Sequence, residues 1–505
     1  MTAQTRTRQK LCFELSTILQ LWAAGEGGMK APDVRQKRAS GPSLARVTTG
    51  SGALGQKHIE LISGNVCWRR FPAYKLAVMK IYRSSLLRFA DGGEAVYDSD
   101  ALLAIAADAH GVQRVVAAGN WQALAEQYIH REGVEVIHLP GKLLAPGFVD
   151  LHIHYPQTDV IGAPASGLLP WLENYTFPHE SRFHDRAYAD SVVEFFMNEL
   201  QRNGVTTALA FATSHPASVD AIMTAAQKRH MRMIAGKVLQ DRNSPDGVRD
   251  ETEQSLIDTE NLIQRWHGVD RLGYAITPRF APTSTPEQLR GAGELAAKYS
   301  DVWIQSHVAE NLDEIAWVKE LFPTARSYLS VYDDFGLMRE RAVYAHSIWL
   351  DATDRKLMHD TRSAAAISPT SNLFLSSGYF DYGKADEAHM LYGLASDVGG
   401  GMSFSPFRTM QAAYVVGREG HAKQGQSLSP QHLWWQHTAG AARALGLQGV
   451  IGNLQPGCEA DFVVINPTCT PLLARKTGQA RNLDELLFAM IILGDDRLIE
   501  QTHIA

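Results

Sequence analysis

The sequence predicts an α/β protein: a (β/α)8 TIM-like barrel with a small β-sandwich domain built from both flanks of the barrel. From residue 146 onwards, short apolar runs alternate with stretches of helical periodicity, and there are eight such units. Short strand-like runs separated by Gly and Asp precede this region, and a turn followed by a strand comes after it. The predicted domains are therefore a barrel at 146–445 and a sandwich made from 79–145 and 446–505.

Each barrel unit is predicted from one apolar run followed by a helical stretch. The segments at 187–203 and 218–229 carry the clearest helical spacing of apolar residues. The eight predicted strands are 147–154, 205–211, 232–239, 272–277, 302–307, 342–346, 364–367 and 391–396.

The flanking sheet is predicted from runs on either side of the barrel. Strand-like runs at 80–87, 113–117 and 134–139 are short and are typical of an antiparallel sheet. Beyond the barrel, a Gln-Pro-Gly turn at 455–457 precedes an apolar strand at 461–465. We expect this strand to join the N-terminal ones.

Residues 1–78 differ in charge from the rest of the 505-residue chain. They hold 12 Lys and Arg against 4 Asp and Glu, whereas the remainder holds 36 against 50. We expect a disordered extension, or sequence upstream of a true start at Met79, with a short helix at 11–24. The alternative is a transit peptide, which is also Arg-rich and poor in acidic residues.

Composition excludes several classes of protein. The net charge of −6 argues against nucleic acid as the main partner. Four cysteines without a CxxC pair argue against a disulfide scaffold and against a cysteine zinc site. No run of about 18 apolar residues is present, so we expect no membrane span. We also expect a cytoplasmic protein.

Polar side chains end four of the predicted barrel strands, and active sites of such barrels lie at these ends. His152 and His154 are two apart on the first strand and so face the same side. His307 ends the fifth strand, His346 ends the sixth, and Asp397 follows the eighth. A single histidine at a strand end is commonly structural, but this set favours a catalytic metal site, and its imidazole and carboxylate ligands suit zinc.

Glu310 follows His307 by three residues. If a helix begins at Val308, this carboxyl lies about one turn beyond the metal ligand and can move a proton between water and a substrate. The alternative is a solvated helix N-terminus, where Glu is favoured in any case.

Three further residues favour a planar, polar substrate. Gln157 offers an amide donor and acceptor, and the guanidinium of Arg279 can bond O6 and N7 of a guanine together. Phe280 can stack on a ring. The alternatives are a loop-capping contact for Gln157 and a surface salt bridge for Arg279. Trp171 and Phe177 either wall the pocket or serve in packing.

Several strings carry a resemblance to a known family. The strings PGFVDLHIH at 146–154, SHVAEN at 306–311, YAHS at 344–347 and the strand end at Asp397 resemble the amidohydrolase superfamily of metal hydrolases. HIHYPQ at 152–157, PRF at 278–280, SPTSNLFLSSG at 368–378 and SDVGGGMSFS at 396–405 resemble its guanine deaminase family. The resemblance runs from about Met79 to the C-terminus and departs from the family pattern at Met402.

The resemblance implies hydrolytic deamination of guanine to xanthine and ammonia by a homodimer with one zinc per subunit. It implies that the metal ligands are His152, His154, His307 and Asp397. It assigns proton transfer to Glu310 and Asp397, and a hydrogen bond to the attacking water to His346. The implied substrate-binding residues are Gln157, Arg279, Phe280, His307, Glu310 and Asp397.

Two other functions remain open on the sequence alone. One is a related aminohydrolase acting on adenine, cytosine, 8-oxoguanine, a thio-nucleoside or a triazine. The other is a non-catalytic scaffold, which would be expected to have lost metal ligands, whereas all five strand-end residues are present here.

Overall fold

The computed structural model describes residues 60–62, 65–67, 79–420 and 426–505. A short antiparallel pair joins Glu60–Ile62 to Asn65–Cys67. The rest of 1–78, including the helix predicted at 11–24, lies outside the described residues. The expectation that this segment is an extension or upstream sequence therefore stays a prediction.

Eight parallel strands form the barrel, and each pairs with its neighbours in chain order, as the sequence predicts. Their side chains are almost all buried, because helices cover the outer face and packed side chains fill the interior. Val149, Leu209, Ile234 and Val343 belong to the apolar cluster that fills the barrel interior. The strands are Phe148–His154, Val205–Phe211, Arg232–Gly236 (continued by Val238–Leu239), Gly273–Pro278, Trp303–Val308, Ala342–His346, Ala364–Ile367 and Leu391–Leu394.

The barrel closes at a seam between the first strand and the chain that follows the eighth. The Asp397 N–H donates to the His152 carbonyl at 2.9 Å, and the His154 N–H donates to the Val398 carbonyl at 2.8 Å. Nearby, Oδ1 of the buried Asp150 accepts the N–H groups of Ser396 at 3.0 Å and of His152 at 3.2 Å. These bonds bring Asp397 beside the first strand.

Helices connect the strands, and several begin with proline at a first turn whose N–H groups need no intrahelical partner. The predictions at 187–203 and 218–229 correspond to Arg186–Arg202 and Pro216–Lys228. The remaining α-helices of the described residues are Trp121–Tyr128, Leu168–Trp171, Phe177–Glu180, Thr252–Trp266, Pro286–Lys298, Leu312–Leu321, Tyr328–Asp334, Ala352–Thr361, Pro369–Phe374, Tyr382–Glu387, Pro406–Glu419, Pro430–Gln436, Ala439–Ala444, Pro471–Thr477 and Leu483–Leu493. Short 3-10 or π turns occur at Tyr155–Val160, Leu172–Thr176, Ser181–His184, Ala281–Thr283 and Asp496–Leu498. Within the parts of the chain that the structure describes, no helix is both long and apolar enough to cross a membrane.

A separate six-stranded sheet takes strands from both flanks of the barrel, as predicted. Its order across the sheet is Ile499–His503, Phe462–Ile465, Val134–Pro146, Met79–Phe89, Ala95–Ala107 and Gln113–Asn120.

The sheet differs from the prediction in two respects. Ala95–Ala107 was not predicted as a strand, because its ALLAIAA half favours helix, but pairing with strands on both sides overrides this preference. The sequence predicts an antiparallel sheet, and four of its strand pairs are antiparallel, but Met79–Phe89 and Val134–Pro146 run parallel. The helix Trp121–Tyr128 forms part of the connection that returns the chain in the same direction.

A buried ion network joins the barrel to this sheet at the end of the barrel opposite the histidines. Arg271 precedes the fourth strand and donates to Glu459 at 2.6 Å and to Asp461. Arg232 donates to the same Glu459 at 2.6 Å. Arg271 is 2% exposed, so its charge depends on these carboxylates in place of water.

We expect Arg271→Met to lower the free energy of unfolding by about 3–5 kcal/mol, because two buried carboxylates lose a partner. The measurement is the chemical or thermal unfolding transition. Lys356→Met, which breaks the exposed pair with Asp360, serves as control and should change stability by less than about 1 kcal/mol. Equal stability of the two variants would contradict the role given to Arg271.

Candidate active site

Four side chains converge at the C-terminal end of the barrel. His152, His154, His307 and Asp397 place one ligand atom each within 4.8 Å of one another. The His154 Nε2 atom lies 3.1 Å from the His152 Nε2 and 3.2 Å from the His307 Nε2. Asp397 Oδ1 lies 3.1 Å from the His152 Nε2 and 3.3 Å from the His154 Nε2. The structure thus brings all four residues together as the sequence predicts.

This cluster fits a metal ion. Burial lowers the pKa of His154 to about 4 and lowers that of His152 as well, so both imidazoles are neutral near pH 7. A neutral imidazole has one unprotonated ring nitrogen, and where such nitrogens face one another a metal ion can bind between them. A tetrahedral site with metal–nitrogen distances of about 2.0 Å has corners about 3.3 Å apart, which matches the observed separations.

Neighbouring groups orient the ligands. The His307 Nδ1–H donates to the carbonyl of Arg279 at 2.6 Å, which leaves Nε2 unprotonated and directed at the cluster. Burial acts to raise the pKa of Asp397, but contacts with His152 and His154 outweigh it and hold that pKa well below its usual range. Asp397 is therefore a carboxylate.

Glu310 lies beside the cluster but not on a helix. The helix begins at Leu312, with Asn311 as its N-cap and Glu314 completing a capping box, so the helix start assumed at Val308 is wrong. Glu310 is 2% exposed, which excludes a solvated helix terminus. Burial, aided by the charge of Asp397, raises the pKa of Glu310 to about 8, so this carboxyl can carry a proton at neutral pH.

Two residues of the segment after the seventh strand hold the groups beside the cluster. The Ser377 hydroxyl donates to Glu310 Oε1 at 2.8 Å, and Glu310 Oε2 lies 3.4 Å from the His346 Nε2. The His346 Nδ1 lies 2.8 Å from Asn372 Oδ1. Since an amide oxygen only accepts, this contact assigns a proton to the His346 Nδ1.

A pocket of about 420 Å³, open to solvent, lies next to the cluster. Its lining includes Gln157, Arg279 and Phe280. Arg279 is 3% exposed, so the alternative of a surface salt bridge is wrong. Its two terminal nitrogens donate to the carboxylate of Glu180 at 2.6 and 3.2 Å.

Aromatic side chains form the walls. Phe280 is buried against Trp317, and Trp171 lines the pocket with Leu168 and Leu172. Phe177 stacks on the Arg279 guanidinium, with 4.9 Å between the guanidinium carbon and the ring centroid. Trp171 is thus a wall residue, while Phe177 supports the arginine.

The model of the family described as "Amidohydrolase family" matches residues 143–494. This range includes all eight barrel strands and the four residues of the cluster. The chain belongs to the amidohydrolase family.

Known amidohydrolases resemble this one closely. The chain is 46% identical to "Guanine deaminase" of Escherichia coli (strain K12) over 386 residues, which is 76% of this chain and 87% of that protein. The solved structure of E. coli guanine deaminase superposes with a TM-score of 0.78 at 41% identity, over 84% of this chain and 97% of that one. A guanine deaminase from C. acetobutylicum, solved with bound guanine in the active site, gives 0.77 at 29% identity over 84% and 98%.

Sequence reasoning missed four polar residues of this amidohydrolase site. Asn372 and Ser377 lie in the string SPTSNLFLSSG, which carries the family resemblance but offers no spacing that shows what they contact. Asp150 precedes the HxH pair, and nothing in the sequence indicates its contact with Ser396. Glu180 lies 23 residues beyond Gln157 in a run of short helical turns, and no sequence pattern indicates its position.

We expect the purified protein to bind about one equivalent of divalent metal per chain and to lose thermal stability with a chelator, since a ligand of the folded state stabilises it. In His154→Ala the metal affinity should fall by more than about 100-fold, because even the loss of an outer partner costs about 10–100-fold. Elemental analysis and metal titration measure both. His130→Ala, at an exposed histidine, is the control, and equal metal content in the two variants would contradict the site.

Proposed function

We propose that this amidohydrolase is a guanine deaminase, which hydrolyses guanine to xanthine and ammonia. The proposal rests mainly on one observation. A buried cluster that fits a metal ion lies at the same pocket as a buried arginine and a buried glutamine. The 46% identity to the E. coli guanine deaminase supports the same substrate.

The pocket supports recognition of a guanine ring. Arg279 offers its free N–H groups to the O6 and N7 acceptors of the base. Gln157 offers an N–H and an oxygen lone pair, and Phe280 offers an aromatic face. All three side chains are buried at the same pocket, so they can contact one small planar molecule together.

His152, His154, His307 and Asp397 would hold one zinc ion per subunit. Three imidazoles and a carboxylate are ligands that suit zinc. When bound, zinc lowers the pKa of a coordinated water from 15.7 to about 7.

The side chains around this site supply the proton transfers. Water adds to C2 of guanine while His346 Nε2 accepts a hydrogen bond from it. Glu310 takes a proton from the water and delivers it to ring N3. Asp397 helps to orient the water and takes its second proton, which passes to the departing amino group, so that ammonia leaves and xanthine remains. The raised pKa of Glu310 suits this role, because the residue must hold a proton between these steps.

The resemblance to the guanine deaminase family also supports a homodimer in the cytoplasm that acts in purine catabolism. These three points are proposals that rest on the resemblance, and size-exclusion chromatography with light scattering tests the first.

A panel of guanine, adenine, cytosine, 8-oxoguanine and a triazine tests the function directly. We expect ammonia release from guanine, with loss of activity after chelation and recovery on adding zinc. Preference for another member of the panel would identify a different aminohydrolase. No release from any of them by metal-loaded protein would favour the non-catalytic scaffold.

We expect Glu310→Gln to reduce kcat by about 10²–10⁴-fold, because the amide cannot take up and return a proton. Its metal content should equal that of the wild type, since Glu310 is not among the four clustered ligands. Steady-state ammonia release and elemental analysis give both quantities. Glu320→Gln, at an exposed position on the following helix, is the matched control, and wild-type turnover by Glu310→Gln would remove the assigned role.

A further inference from the structure

Glu180 is a fully buried carboxylate that contacts both polar residues expected to read the base. It ends the helix Phe177–Glu180, in the loop after the first barrel strand, and its exposed fraction is 0%. Oε1 and Oε2 accept the two Arg279 bonds at 3.2 and 2.6 Å, and Oε1 also accepts the Gln157 Nε2–H at 3.0 Å. Burial of a charge at this depth is costly unless it is paired, so these contacts determine its place.

We propose that Glu180 is a positioning residue that makes this pocket selective for a base with an oxygen at C6, acting through Arg279 and Gln157. The proposal rests on the proposed function, since it takes guanine as the substrate. Glu180 does not touch the substrate in this scheme.

The first step concerns Arg279. A guanidinium has five N–H groups, and Glu180 engages one on each terminal nitrogen. The carboxylate thereby fixes the plane of the fork, while Phe177 packs against its face. The remaining donors are held in one orientation, and the paired charges present a neutral site to a neutral base. An acceptor such as O6 fits these donors, whereas hydrogen at C6 leaves a buried donor without a partner.

The second step concerns Gln157, whose amide is locked in one orientation. Its oxygen accepts the Gly399 N–H at 3.3 Å, and its nitrogen faces a carboxylate oxygen that can only accept. One N–H and one lone pair therefore remain for a ligand in a defined arrangement. A neutral amide in place of Glu180 can donate as well as accept, so only the 3.3 Å contact with the Gly399 N–H would still specify the orientation of Gln157.

The test uses two ligands that cannot be deaminated. Hypoxanthine keeps O6 and N7 but lacks the amino group, and purine lacks both substituents. Their dissociation constants are measured calorimetrically on the zinc-loaded enzyme, and their ratio reports recognition at C6 without chemistry. We expect Glu180→Gln to reduce the preference for hypoxanthine by about tenfold, mainly through weaker hypoxanthine binding. For guanine, KM should rise by more than kcat falls, and Glu180→Asp should recover part of the preference.

Two further variants separate positioning from loss of stability. Glu459→Gln makes the same change in a buried carboxylate with three arginine partners at the far end of the barrel, and it should keep the preference. In the Arg279→Met background, Glu180→Gln also removes an unpaired buried charge, so the double variant keeps the test available if the single one folds poorly. In that background, Glu180→Gln should change the preference for hypoxanthine by less than about twofold, because Arg279, through which Glu180 mainly acts, is already lost.

An unchanged preference in Glu180→Gln, or a full additional loss in the Arg279→Met background, would overturn the proposal. Both results are read against wild-type protein that releases ammonia from guanine. Wild-type protein without that activity would instead refute the proposed function, so the two failures are distinguishable.

Discussion

The seam that closes the barrel is the interaction on which the site depends. Two backbone hydrogen bonds, from Asp397 to His152 and from His154 to Val398, join the first strand to the chain beyond the eighth. Without them, the carboxylate ligand and the histidine pair would lie at opposite edges of an open sheet. Asp150 supports the same junction, because one of its carboxylate oxygens accepts two N–H groups. Closure of the barrel therefore brings the four residues of the cluster together.

Around the cluster, three side chains are each held by a hydrogen bond to a neighbouring group. Asn372 holds His346, Ser377 holds Glu310, and the Arg279 carbonyl holds His307. The backbone takes part as well, because His346 and Asp397 adopt positive φ angles of 68° and 52°. Such conformations cost about 1–3 kcal/mol each and persist only where the surrounding structure enforces them. Packing in the barrel thus offsets the free-energy cost of these two backbone conformations. The conformations in turn direct the two side chains toward the pocket.

The sequence was informative wherever a residue's position along a strand determined its place in space. Periodicity gave the eight barrel strands, and a strand has only two faces and one C-terminal end, so the ligands His152, His154 and His307 followed. It was uninformative where the place depends on contacts across the loops. Glu180 reaches Arg279 across 99 residues of chain, and no spacing indicates that contact. Ala95–Ala107 shows the same limit in the flanking sheet, since pairing with neighbours decided its structure.

Arg279 lines the pocket with its side chain, while its main-chain carbonyl accepts a hydrogen bond from His307. The carbonyl that orients the metal ligand is present whatever side chain the residue carries. If Arg279 reads the base as proposed, a change of its side chain would alter which ring is bound without removing the acceptor on which the histidine depends. Specificity and reactivity would then be separable at a single residue.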